Sequence, residues 1–208
     1  MWVLPWTIES TTRILANYLT DGRLPWPESA LPNQVSRVLN TYRQVQSREL
    51  ERDCAGALAE KGFVVRAGVK PEKRMHYGLA DLSGEIDALC LDPARSRIWV
   101  IEAKDPFIPF SPRQIRRLIN DFHQSNGYVD TLLTKIAEVE ASAHGIADAL
   151  GIANPSRTWE TIPLVVTRRV DPAAFAVDPR VAFCVVDDVV QVVDRDGAVE
   201  PGFHQPAH

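Results

Sequence analysis

Two stretches of this chain place charged side chains at the ends of apolar runs. Asp87 stands at the start of one run, and Glu102 and Lys104 end a second run that begins at Ile98. Because side chains alternate between the two faces of a strand, Glu102 and Lys104 share a face with Ile98 and not with Trp99. Carboxylates are ligands for hard divalent cations, and a nearby lysine can stabilise charge on a phosphate. The pattern predicts metal-assisted chemistry on a phosphodiester.

A turn between the two runs would bring these side chains together. Residues 92–96, Asp-Pro-Ala-Arg-Ser, have the proline and short polar side chains that favour a turn. If strands at 85–91 and 97–103 pair through this turn, Asp87 and Glu102 meet near one end of the sheet. We therefore expect the two acids to lie close enough to share a cation.

The two motifs also carry a family resemblance. Gly-Glu-Ile-Asp at 84–87, followed by Ile-Glu-Ala-Lys at 101–104, resembles the PD-(D/E)xK nuclease superfamily. The form with Gly-Glu-Ile-Asp looks like the branches related to Holliday-junction resolvases and to nuclease-related, NERD-type domains. The resemblance covers roughly residues 49–128 and implies a restriction-endonuclease-like α/β fold, with a mixed central sheet flanked by helices.

The resemblance assigns a role to each residue of the motif. It implies that Asp87 and Glu102 are metal ligands, together with the backbone carbonyl of Ala103, and that Lys104 is the catalytic lysine. The implied cofactor is Mg²⁺ or Mn²⁺, and the implied activity is hydrolysis of phosphodiester bonds in nucleic acid, with DNA as the expected partner. RNA cleavage and a catalytically inactive fold that binds nucleic acid or protein are the two alternatives.

Relatives often carry a further acid on the helix before the sheet, and two residues here compete for that role. At about 100° per residue, Glu51 projects close to Leu58, at the edge of the apolar stripe of the predicted helix 33–61. Glu49 lies on the other side and farther from the stripe. We therefore expect Glu51 to be the additional catalytic residue and metal ligand.

Other polar residues have weaker assignments. Gln124 and Tyr128 match a Gln-x-x-x-Tyr element that some relatives carry after the lysine, although Asn-Gly at 126–127 predicts a break in the helix, and Tyr128 is equally suited to the core. Two groups of basic residues have the charge to contact phosphates, or to form solvated polar surfaces: Arg113, Arg116 and Arg117, and Lys70, Lys73 and Arg74.

Periodicity and turn composition predict the remaining elements. We expect a helix that starts at Pro112 with Ser111 as its N-cap, and a second helix after residue 127. Short strands are predicted at 63–65, 162–167 and 181–186, and the tail from Gly197 is predicted to be loose.

The chain divides into an arm and a domain by its composition. Residues 1–44 predict a helical and loop arm with Trp2, Trp6 and Trp26, which suits a homodimer contact or a protein partner, and residues 45–208 predict the nuclease-like domain. A short helix is expected within the arm at Thr12–Tyr18.

Bulk composition excludes several classes of protein. With 208 residues, 45% of them hydrophobic, and a net charge of -4, the chain can bury a core and is not a strongly basic nucleic-acid coat protein. Its three cysteines form no C-x-x-C pair, which argues against a zinc ribbon or an iron–sulfur cluster and favours a reducing, cytoplasmic location. The sequence holds no apolar run long enough for a membrane span.

Overall fold

The structure is a computed structural model that describes residues 5–20, 24, 30–109, 111–152, 157–175 and 180–204. The α-helices are α1 (Pro5–Thr20), α2 (Asn33–Glu60), α3 (Pro112–His123), α4 (Tyr128–Ala141), α5 (Ala143–Ala149) and α6 (Val189–Val193). The strands are β1 (Val64–Val69), β2 (Ile86–Asp92), β3 (Arg97–Lys104), β4 (Glu160–Thr167), β5 (Ala182–Val185) and β6 (Gly202–Phe203). Short 3-10 helices lie at Pro71–Tyr77, Pro172–Phe175 and Val186–Asp188.

The strands form one mixed sheet whose spatial order follows the chain, from β1 to β6. The first three strands are antiparallel, and β3 to β6 run parallel to one another. The predicted turn between β2 and β3 is confirmed, with Ser96 in the left-handed region at a φ of 60°. The crossover from β3 to the parallel β4 contains α3, α4 and α5. The predicted α/β class with a mixed central sheet is therefore correct.

Helices cover both faces of the sheet, so the central strands are buried on both sides. On one face, Leu89 and Val100 pack in a core with Phe122 of α3 and Leu132 of α4. On the other face, α2 and α6 cover a second core. That second core contains all three cysteines, Cys54, Cys90 and Cys184, as free thiols. Burial on both faces explains why β2 and β3 read as continuous apolar runs.

The start of α3 agrees with the prediction, and the break after it has a steric cause. The side chain of Ser111 accepts a hydrogen bond from the backbone amide of Gln114 at 3.3 Å, which caps the helix. Between α3 and α4, a Cβ atom on Gly127 would lie 2.7 Å from the carbonyl oxygen of Phe122. Only glycine fits this close approach, so Gly127 permits the tight connection between the two helices.

At the N-terminal end, α2 is one continuous helix that runs through the predicted arm-to-domain boundary at residues 44 and 45. The helix α1 is longer than the predicted Thr12–Tyr18, and three of its apolar side chains, Ile14, Leu15 and Leu19, are exposed. The predicted contacts of Trp2, Trp6 and Trp26 involve side chains that lie outside the described part of the structure. No helix of the described part is long and apolar enough to cross a membrane.

Three segments differ from the prediction, and in two of them long-range strand pairing is the reason. The strand β1 continues to Val69, which pairs with Ile86 of β2. The segment after it, for which no element was predicted, contains the 3-10 helix Pro71–Tyr77. In the tail that was predicted to be loose, Phe203 pairs with Phe183 of β5. Local composition carries little information about contacts of this kind.

Candidate active site

The strands β2 and β3 separate at the end of the sheet where the candidate residues lie. Their pairing runs from Asp92 and Arg97 to Ala88 and Ile101. One residue beyond it, Oδ2 of Asp87 accepts a hydrogen bond from the backbone amide of Ala103 at 2.8 Å. The backbone amide of Ala103 is thus bonded to a side chain of β2 and not to its backbone, and the strands diverge around a cleft.

The predicted acids and lysine converge at this point. Nζ of Lys104 donates to Oε1 of Glu102 at 2.6 Å and lies 4.0 Å from Oδ2 of Asp87. One ammonium group therefore lies within ion-pair distance of both carboxylates. Asp87 and Glu102 are thus brought together, as expected from the turn that joins their strands.

Helix α2 supplies one wall of the cleft, and the predicted Glu51 lies on it. Glu51 and Ser47 line the same cleft, of about 380 Å³, as Asp87 and Lys104. The helix is held against the sheet by Arg168, which donates to the backbone carbonyl of Gln46 at 3.1 Å and to Asp105 at 3.3 Å. Glu51, which was predicted in preference to Glu49 as the additional acid, therefore lies in the cleft.

Burial and neighbouring carboxylates raise the pKa values of two acids in the cleft, Asp87 and Glu51. Burial, and then repulsion by Glu102, raises the pKa of Asp87 to about 7. Burial and the nearby Glu85 also raise the pKa of Glu51 above its usual value. For Lys104, burial lowers the pKa, but Glu102 and Asp87 outweigh burial and leave the pKa raised. An arrangement of this kind favours a bound cation, because a cation relieves the repulsion.

The structure adds one residue that the sequence did not predict. Lys135 lies on α4 and is only 3% exposed. Its Nζ donates to Oε2 of Glu102 at 2.7 Å and to the backbone carbonyl of Glu85. The local signal for Lys135 is its place on the apolar face of α4, where helical periodicity predicts an apolar side chain. Glu102 is thus held by Lys104 on one oxygen and by Lys135 on the other.

Tyr128 belongs to the cleft, whereas Gln124 does not share a helix with it. The ring of Tyr128 lies 5.2 Å from Nζ of Lys104, and its edge contacts Phe122 at 5.1 Å between ring centroids. With 44% of its surface exposed, Tyr128 is not a core residue. Gln124 is exposed and ends α3, while Tyr128 begins α4, so the predicted Gln-x-x-x-Tyr element is split.

Of the candidate phosphate-binding arginines, Arg117 lies in the cleft. It lines the cleft beside Asp121, which lies 3.9 Å from its Nε, and 76% of its side chain is exposed. Arg113 and Arg116 are exposed on the same helix. In the other predicted basic group, Arg74 donates to backbone carbonyls of its own loop, Lys70 lies 3.8 Å from Glu85, and Lys73 is exposed.

The donors in the cleft fit a hard divalent cation. The amide of Ala103 faces the gap between the diverging strands, and in an extended strand the carbonyl of the same residue faces the same side. Asp87, Glu102 and this carbonyl together offer only oxygen ligands, the type that Mg²⁺ and Mn²⁺ prefer. Within the described ranges, no group of three His, Cys, Asp or Glu side chains is arranged as a metal site.

Comparisons of this chain with protein-family models, curated proteins and solved structures gave no match.

Proposed function

We propose that this chain is a divalent-metal-dependent nuclease that hydrolyses phosphodiester bonds, with DNA as its substrate. The observation that carries the proposal is the convergence of Asp87, Glu102 and Lys104 at the diverging ends of β2 and β3. The mixed sheet with helices on both faces fits the restriction-endonuclease-like fold that the sequence motifs imply. Residues 45–208 would form the nuclease-like domain, and the preceding residues an arm for a second copy or a protein partner.

Each residue of the cleft has a role that follows from its position. Asp87, Glu102 and the carbonyl of Ala103 would hold Mg²⁺ or Mn²⁺, and Glu51 would contribute from the opposite wall. When bound, the ion supplies positive charge to the phosphate and lowers the pKa of water. Lys104 would donate a hydrogen bond to a phosphate oxygen and stabilise the negative charge that develops there.

The surroundings of Lys104 support this role. The ring of Tyr128 lies over the ammonium group and restricts where it can move. Arg117, exposed at the side of the cleft, adds a positive charge that attracts the sugar–phosphate backbone. A phosphate that enters the cleft would therefore meet positive charge on two sides and the carboxylate of Asp87, with the buried Glu102 adjacent to Lys104.

A cleavage assay tests the proposal. Plasmid DNA and short single- and double-stranded oligonucleotides are incubated with Mg²⁺, Mn²⁺ or EDTA, and the products are resolved on gels. We expect cleavage by the wild-type chain with metal, and its loss in Asp87→Asn, in Lys104→Met and in EDTA. The matched control is Asp53→Asn, because Asp53 is an exposed acid on α2. Equal cleavage by all variants, or cleavage in EDTA, would refute the assignment.

The same assay decides between DNA and RNA. The residues described above are suited to phosphate, which DNA and RNA share, and RNA is distinguished only by its 2′-hydroxyl. RNA oligonucleotides of the same sequence therefore form a second arm of the assay. Faster metal-dependent cleavage of RNA would support the same metal site but would make RNA the substrate.

One observation favours a second function, binding without turnover. Both oxygens of Glu102 are engaged by lysines, and one oxygen of Asp87 is engaged by the amide of Ala103. In a protein that never takes up metal, these contacts would neutralise the acids permanently. Binding of labelled oligonucleotides that is unaffected by Mg²⁺, Mn²⁺ or EDTA, with no cleavage under any condition, would support this function and exclude the nuclease.

A further inference from the structure

Lys135 is a charged residue in a place where the helix needs an apolar one. It lies on α4 between Leu132 and Ile136, both of them buried, and it is 3% exposed itself. An ammonium group without a partner in such a place is strongly unfavourable. Its retention there is explained only by the groups that its Nζ contacts.

Those groups lie on the two strands that diverge at the cleft. Nζ of Lys135 donates to Oε2 of Glu102 on β3 and to the backbone carbonyl of Glu85, the residue before β2. The stem of the lysine passes close to Gly84, where a Cβ atom would lie 3.4 Å from Cε of Lys135. The lysine therefore links the two strand ends beyond the point where their own pairing stops, at Ala88.

This link determines which part of Glu102 is available to a ligand. Lys135 approaches Oε2 from α4, while Oε1 contacts Lys104, which lines the cleft. The buried bond thus fixes the rotation of the carboxylate with one oxygen on the cleft side. It also joins Glu102 on β3 to the carbonyl of Glu85, two residues before Asp87.

We propose that Lys135 is a positioning residue for the metal site: it orients Glu102 and holds the ends of β2 and β3 at the spacing at which both acids bind one cation. This inference rests on the proposed function. Lys135 itself touches neither the cation nor the substrate.

Positioning and simple charge compensation predict opposite results when the lysine is lost. Lys135 adds a positive charge near Asp87, Glu102 and Glu51, so if its effect were only electrostatic, its removal would strengthen cation binding. If Lys135 positions Glu102, its removal weakens cation binding, as loss of a residue that orients a metal ligand commonly does, by about 10- to 100-fold.

The experiment is calorimetric titration of the full chain with Mn²⁺ alone, without nucleic acid. The variants are Lys135→Met, which keeps the length of the stem, and Lys135→Gln, which keeps a neutral donor. Lys61→Met is the matched control, because Lys61 is exposed at the end of α2. Circular dichroism and thermal unfolding establish whether each variant is folded. If Lys135→Met does not fold, the test is made with Lys135→Gln.

We expect the affinity for Mn²⁺ to fall about tenfold or more in Lys135→Met and Lys135→Gln, and to stay at the wild-type value in Lys61→Met. In the cleavage assay, the Lys135 variants should need correspondingly more Mn²⁺ for half-maximal rate. Unchanged or tighter Mn²⁺ binding by a folded Lys135 variant would overturn the role of Lys135 and leave the proposed nuclease intact. Absence of Mn²⁺ binding by the wild-type chain would overturn both.

Discussion

The carboxylate of Asp87 accepts a hydrogen bond from the backbone amide of Ala103, at the position where the pairing of β2 and β3 has already ended. The contact holds the half-buried carboxylate of Asp87 where the two strands separate, within ion-pair distance of Lys104, which also contacts Glu102. The acid that would bind the cation is therefore also part of the structure of the strand ends. Changes at Asp87 should therefore affect both stability and metal binding.

The first prediction concerns the metal-free protein. Burial and repulsion by Glu102 raise the pKa of Asp87 from 3.8 to about 7, so the folded state binds this proton more tightly than the unfolded chain does. Ionised Asp87 accordingly opposes folding increasingly as the pH rises from about 4 to 7, and fully above that range. In EDTA at pH 8, we expect Asp87→Asn to raise the melting temperature by a few degrees. An increase of about 1 kcal/mol or more in the free energy of unfolding has this effect in a chain of this size.

Adding Mn²⁺ should reverse the order of the two melting temperatures, so that the wild type becomes more stable than Asp87→Asn. A cation that binds only the folded state stabilises it, so the wild-type melting temperature should rise with Mn²⁺ while that of Asp87→Asn changes little. Thermal unfolding with and without Mn²⁺ measures both effects. If Asp87→Asn were less stable than the wild type in EDTA at pH 8, the ionised Asp87 would not destabilise the metal-free fold, and the raised pKa of Asp87 would be contradicted.

The second prediction compares two acids on α2. Glu51 lines the cleft, and its pKa is raised by burial and by neighbouring carboxylates. We expect Glu51→Gln to weaken Mn²⁺ binding and to lower kcat/KM by about tenfold, whereas Glu49→Gln should behave as the wild type. Titration with Mn²⁺ and single-turnover cleavage provide the two measurements. Equal effects of the two substitutions would remove Glu51 from the site.

The third prediction separates chemistry from metal binding. Lys104 donates to Glu102 but is not itself a metal ligand, so Lys104→Met should retain Mn²⁺ binding while losing about 100-fold or more in kcat. Calorimetry and pre-steady-state cleavage at saturating Mn²⁺ measure these quantities separately. A Lys104→Met variant with wild-type kcat would exclude the lysine from catalysis.

The fourth prediction concerns the contact with nucleic acid. Arg117 is exposed beside the cleft, so Arg117→Gln should weaken DNA binding and reduce the slope of log K against log salt by about 1. Fluorescence anisotropy in Ca²⁺ across a series of salt concentrations measures the slope. Arg66→Gln, which changes an exposed arginine on β1, serves as the control and should leave the slope unaltered.

The sequence predicted those parts of the fold that depend on local chemistry. The turn before Ser96, the cap at Ser111 and the helix break at Gly127 each follow from the conformational preference of one or two residues. The pairing of β6 with β5 could not be predicted in this way, because it depends on contacts between residues distant along the chain. The same limit applies to the full length of β1.

For the site, the sequence predicted the groups but not how they are held. Asp87, Glu102 and Lys104 follow from a motif, and Glu51 follows from helical geometry. The hydrogen bond from Ala103 to Asp87 was not predicted, because alternation along a strand does not reveal where two strands diverge. Lys135 was missed for a similar reason: in the sequence it is one of four charged residues of α4, and its partners are 33 and 50 residues away.

Anomalous diffraction from crystals soaked in Mn²⁺ would locate the bound cation. We expect one strong anomalous peak in the cleft, within about 2.0 to 2.3 Å of oxygen atoms from Asp87, Glu102 and the carbonyl of Ala103. In crystals of Asp87→Asn the same peak should be absent or much weaker. A wild-type map with no peak at these three residues, at Mn²⁺ concentrations that support cleavage, would contradict the assignment of this cleft as the metal site of a nuclease.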